Sequence, residues 1–161
     1  MLVFQGIRHK LWENRAEKLF QALFERFPLP LEGRILYSHT PQRGQKAYTF
    51  FDDDGSYRIV IDLDEHHSQE DVENSCYHEF RHLMQHEILE ESYIRRCNRL
   101  RLDMAWYLFS PTEIDARVFA RTRGEIADRR IFEEIGRLDD YDSSKLFLYH
   151  CMEVSRKYGV G

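Results

Sequence analysis

The chain has 161 residues, 42% of them hydrophobic and 14% aromatic, enough for one substantial core, so a single globular domain over 1–161 is expected. A net charge of −5 argues against bulk attraction to nucleic acid or an anionic membrane surface. No apolar run approaches the roughly 18 residues of a membrane span, and the opening Met1 to Gly6 is too short for a secretory signal, which makes the cytoplasm the expected compartment.

In chain order, Trp12, Ala16, Leu19, Phe20, Leu23, Phe24 and Phe27 recur with a 3.6-residue period, predicting an amphipathic packing helix over about Ile7 to Phe27 that Pro28 and Pro30 end. His9, in its first turn, reads as a solvated histidine. The character then changes. Arg34 to Ser38 reads as a short strand and is followed by a polar loop with Pro41 and Gly44. Tyr48 to Phe51 and Tyr57 to Leu63 flank the turn Asp52-Asp53-Asp54-Gly55-Ser56, a β-hairpin signal, with Tyr57, Ile59, Ile61 and Leu63 sharing one face of a half-buried strand. The three aspartates lack the alternating ligands and closing Glu of a calcium loop and are turn residues. Asp64-Glu65-His66-His67 reads as a hydrated connector.

Ser68 with Asp71 caps the next helix, which runs from Gln69 to about Glu90 without Gly or Pro. Val72, Cys76, Phe80, Leu83 and Met84 form its apolar arc. Away from that arc lies His78-Glu79-Phe80-Arg81-His82, an H-E-x-x-H pattern. One helical turn, about 6 Å along the axis, separates the two imidazoles, so both reach a single zinc ion from one face. Glu79, offset around the helix, is the candidate general base. His86 lies about 12 Å from His78 along the axis and is rejected as a third ligand. The metzincin pattern, which needs a His six residues after His82, is excluded by Ile88.

Tyr93 to Phe109 is expected to form another helix, with Leu100, Met104 and Leu108 as candidate core. Its Arg95, Arg96, Arg99 and Arg101 raise a phosphate-tracking alternative, which the flanking Glu90, Glu91 and Asp103 oppose. Ser110, Pro111 and Glu113 then mark a clear helix start in which Glu113 is explained as the reciprocal carboxylate of a capping box. A zinc site with two histidines nevertheless needs a third protein ligand, and a carboxylate on a separate helix is suited to it. The three cysteines, Cys76, Cys97 and Cys151, are widely spaced without a C-x-x-C pair and read as reduced thiols. Glu125 to Leu138 reads as renewed helix after Gly124, and Ser143-Ser144 caps a last helix to about Tyr158, closed by Gly159; His150 on it needs no special role.

His78-Glu79-x-x-His82, with Glu113-x-x-Ala116-x-x-Phe119-Ala120 beginning 31 residues later, resembles the gluzincin metallopeptidases, and within them the ImmA/IrrE group and the minigluzincins. The resemblance covers about residues 57–121. It implies a compact zincin-like α+β domain, a small sheet packed on several helices. It further implies Zn2+ held by His78, His82 and Glu113, and hydrolysis of a peptide or protein substrate by zinc-activated water with Glu79 as base. The strand Tyr57 to Leu63 would then edge the cleft and pair with an extended peptide. Because ImmA-like proteins act on transcriptional repressors, the resemblance also carries an alternative, a regulatory protein acting on a repressor partner with limited or no proteolysis. The chain departs from the pattern four residues after Glu113. Many gluzincins carry Asp or Asn there to orient a zinc-binding histidine, and this chain has Arg117, with Asp115 pointing to another side of its helix.

Overall fold

The computed structural model describes residues 2–39, 44–100, 104–136 and 144–161. The readings placed on Pro41, Arg101, Leu138 and Ser143, and on the side chains of Arg99, Leu100 and Met104, lie outside the described residues. The described chain is α+β, in the order α1 (Leu2–Arg26), β1 (Gly33–Ser38), β2 (Ala47–Phe51), β3 (Tyr57–Asp62), α2 (Gln69–Ile88), α3 (Glu91–Leu100), α4 (Met104–Phe109), α5 (Pro111–Arg121), α6 (Arg130–Ile135) and α7 (Ser144–Lys157). None of the described helices is long and apolar enough to cross a membrane. Its contacts divide into two compact units, 1–83 and 84–161.

In the first unit, α1 buries Trp12, Ala16, Phe20 and Leu23 at helical spacing. Phe24 meets Phe80 of α2 edge-on, with ring centroids 5.0 Å apart, and stacks on Tyr57 of β3 at 6.1 Å. The sheet order is β1-β3-β2, with β1 parallel to β3 and β2 antiparallel to it. The hairpin closes on Asp52 to Ser56: Asp52 N–H donates to Ser56 O at 2.8 Å, Gly55 takes φ +82°, and Asp52 pairs with the Arg58 guanidinium.

This order corrects the placement of the strand beginning at Tyr57. β3 is the central strand, hydrogen-bonded on both sides, and Val60 and Asp62 are buried along with Ile59 and Ile61. The edges of the sheet among the described residues are β1 and β2. Gly33 pairs with Tyr57, where a Cβ would lie 2.3 Å from the Tyr57 carbonyl oxygen, so only glycine fits.

Two histidines expected in water are buried. His9 is 6% exposed, with Nε2 3.1 Å from Asp64 Oδ1 and its ring stacked on His39. His66 follows a single 3-10 turn, Leu63–Glu65, and is 2% exposed. Its Nδ1–H donates to Asp62 O at 2.6 Å, and its Nε2 accepts from the Ser75 hydroxyl at 2.8 Å, which satisfies the neutral ring completely.

In the second unit, Ile114 and Val118 of α5, Ile131 and Ile135 of α6, and Phe147, Cys151 and Val154 of α7 form one core cluster. All three cysteines are buried free thiols. The helix expected over Tyr93 to Phe109 is described as α3 and α4, with 101–103 outside the described residues, and Arg95 is paired with Glu91 on α3. The helix expected from Glu125 begins only at Arg130, because Thr122 to Gly124 turn the chain out of α5 and the Thr122 hydroxyl accepts from Ile126 N. His150 contacts the Glu134 carbonyl oxygen through Nε2 at 2.9 Å.

Gly33→Ala is expected to destabilise the protein by about 1–3 kcal/mol, from a clash with rigid backbone, read from urea unfolding. Burial holds His66 and His9 below their ordinary pKa of 6.5. The unfolded chain therefore takes up their protons first, so stability is full above pH 6.5 and is lost as pH falls through that value. Unfolding midpoints collected between about pH 5 and 8 should slope this way in wild type and less steeply in His66→Gln.

Candidate metal centre

Helix α2 serves two surfaces at once. Val72, Cys76, Phe80 and Leu83 are buried on one, whereas His78 and His82 are only partly buried on the other. The helix starts where expected: Asp71 N–H donates to the Ser68 hydroxyl at 3.1 Å, and the Asp71 carboxylate accepts from His67 N and from Lys46 Nζ. One turn of helix brings the His78 and His82 rings to 4.8 Å between centroids, nearly perpendicular at 80°, with their Nε2 atoms 3.2 Å apart.

Glu113 lies in the first turn of α5, where Pro111 occupies a helix-start position and Ser110 O accepts from the N–H groups of Glu113 and Ile114. The Ser110 hydroxyl makes no cap bond to the helix, so the expected capping box is not formed through it. His78 and His82 each offer an imidazole nitrogen on one face of α2, and Glu113, 4% exposed, offers a carboxylate from the first turn of α5.

Do these groups fit a zinc ion? Nitrogen ligands at about 2.0–2.1 Å in a tetrahedron stand about 3.3–3.4 Å apart, and the 3.2 Å between the two Nε2 atoms is close to that edge. Two imidazoles and a carboxylate are a donor set that zinc accepts, with room for a fourth partner. The residues present fit the ion.

Glu79 is 5% exposed and its carboxylate is held from the sheet: the Thr49 hydroxyl of β2 donates to Glu79 Oε2 at 2.7 Å. Sequence reasoning passed over Thr49. The available signal was its polar side chain between Tyr48 and Phe50, which places it on the strand face opposite those two rings. Gln85 was missed as well. It lies three residues after His82 on the same unbroken helix, and its amide donates to Thr112 O and to Asp115 Oδ2, both at 2.8 Å. Asp115, considered as an orienting group for a histidine, is thus engaged with Gln85. His86 is exposed.

Arg117 stands where the resemblance implies Asp or Asn, and its guanidinium binds main-chain carbonyls: Nη1 donates to Val160 O at 2.8 Å, Nη2 to Leu108 O, and Nε to Glu113 O at 3.3 Å. Burial lowers its pKa and the nearby Glu113 opposes that. It braces the peptide unit of Glu113 and orients no imidazole through these bonds. No protein family, curated protein or solved structure matches the chain.

Gln85→Leu should remove a hydrogen bond to a buried carboxylate and cost about 1.5–3 kcal/mol, measurable as a lower urea midpoint with an unchanged m-value.

Proposed function

We propose that this chain is a zinc-dependent peptide hydrolase of gluzincin type, with His78, His82 and Glu113 as ligands and Glu79 as general base. The observation that carries this reading is the meeting of the His78 and His82 imidazoles on one face of α2, their Nε2 atoms 3.2 Å apart, close to the edge of a zinc tetrahedron. Zinc held there would supply Lewis acidity, polarising a peptide carbonyl and making nearby water a stronger acid. The remaining work falls to the chain's own groups. Glu79 accepts the proton of the attacking water and delivers it to the leaving amine nitrogen. Its second oxygen is already engaged by Thr49, so Oε1 is the one left for that transfer. Among the described residues the outer side of β2 is paired with no strand, and that edge, rather than β3, suits an extended peptide.

The test is zinc content per chain after purification without chelator, followed by cleavage of a mixture of quenched-fluorescent peptides. About one zinc is expected in wild type and a sharp loss in His82→Ala and Glu113→Ala, as a three-ligand site requires. Glu79→Gln should keep the metal and lose about 10²–10⁴-fold in kcat. Wild type that takes up no zinc at neutral pH would overturn the proposal. Zinc without cleavage would overturn the hydrolase and leave a metal-holding regulatory protein acting on a repressor partner.

A further inference from the structure

The geometry points to Thr49 as the positioning residue of the base, its hydroxyl locking the Glu79 carboxylate while its own main chain lies on the open edge of the sheet. This rests on the hydrolase reading and extends it. Thr49 Oγ lies 2.7 Å from Glu79 Oε2 and 3.3 Å from Glu79 O. A hydroxyl has one proton to give, and the carboxylate is the nearer and more strongly attracting acceptor. The carbonyl lies inside α2, where the helix ladder already uses it.

The register of the hairpin settles where the main chain of Thr49 faces. Asp62 N–H donates to Lys46 O at 2.9 Å, and Asp52 N–H donates to Ser56 O at 2.8 Å. In an antiparallel ladder, residues that exchange bonds with the partner strand alternate with residues that do not. Counting from either end, Tyr48 opposite Val60 and Phe50 opposite Arg58 are bonded pairs, and Thr49 opposite Ile59 is not. The N–H and C=O of Thr49 therefore turn outward, to the side of β2 with no strand partner among the described residues. One residue thus presents its peptide groups to an incoming strand and its hydroxyl to the base. A peptide that pairs with β2 is registered against Glu79 through a single side chain, with no intervening loop.

The lock has a defined consequence for the carboxylate. With Oε2 tethered, rotation about the last side-chain torsion, which is broad for a free glutamate, is restricted and Oε1 keeps one direction. Thr49 makes its hydrogen bonds to Glu79 and contributes nothing to the ligand set.

Thr49→Val keeps the shape and removes the proton, whereas Thr49→Ser keeps the proton. The first readout needs no metal and no substrate: the side-chain carboxyl ¹³C resonance of Glu79 in metal-free protein, identified by its disappearance in Glu79→Gln. It should move in Thr49→Val and stay in Thr49→Ser. On the zinc-loaded protein with the quenched-fluorescent peptides, Thr49→Val should lower kcat by about 10–100-fold, the value of one hydrogen bond to a charged acceptor, with KM and zinc content unchanged and Thr49→Ser near wild type. An unmoved resonance in Thr49→Val, an unchanged kcat, or equal damage in Thr49→Ser would overturn the assignment while the hydrolase stands. Wild type that binds no zinc or cleaves nothing would overturn the hydrolase, and the assignment with it.

Discussion

Everything at the candidate centre depends on α2 remaining one continuous helix with two different sides. Its period holds Val72, Cys76, Phe80 and Leu83 in contact with apolar neighbours, and the same period fixes the separation of His78 and His82. The packing of the apolar side cannot slip without moving the imidazoles, because they share one rigid backbone. Phe80 illustrates this: it sits between Glu79 and His82 in sequence, is fully buried, and meets Phe24 of α1. The hydrophobic contact that stabilises the fold is thereby also the one that aims the polar groups.

Around that helix, the groups that orient the polar side chains come from separate elements. Thr49 reaches Glu79 from β2, Gln85 joins α2 to the first turn of α5, and Arg117 braces the Glu113 peptide against the carbonyls of Leu108 and Val160. Each of these bonds ends on a backbone or carboxylate oxygen. Preorganisation of this kind costs polar burial, which is tolerable here because the bonded groups satisfy one another.

The sequence made legible whatever is encoded within about one helical turn or one tight turn: the apolar arc of α2, its Ser68 cap, the Asp-rich hairpin, and the Pro111 start of α5. Pairing partners were not legible. Nothing local in Arg34 to Ser38 says that it lies parallel to β3 and displaces that strand from the edge to the centre. Histidine burial was illegible for the same reason, since the bonds that let His66 be buried run to a carbonyl four residues back and a hydroxyl nine residues on. The candidate ligands were found through a local pattern plus a resemblance, whereas the partners of Thr49 and Gln85 lie 27 to 30 residues away and no local pattern names them.

The strand order also has a kinetic consequence. β1 precedes β2 and β3 in the chain, yet among the described residues its sheet neighbour is β3, which is the last of the three to be synthesised and sits in the middle. On a ribosome β1 therefore waits, with its ladder groups bare, until residues through Asp62 have emerged and β3 has come to lie between it and β2. The sheet closes by insertion rather than by growth from one end, and the non-local β1–β3 contact is the slow one. During that interval the exposed edge is Gly33-Arg34-Ile35-Leu36-Tyr37-Ser38, and Arg34 is the single charge that guards it against pairing with another nascent chain.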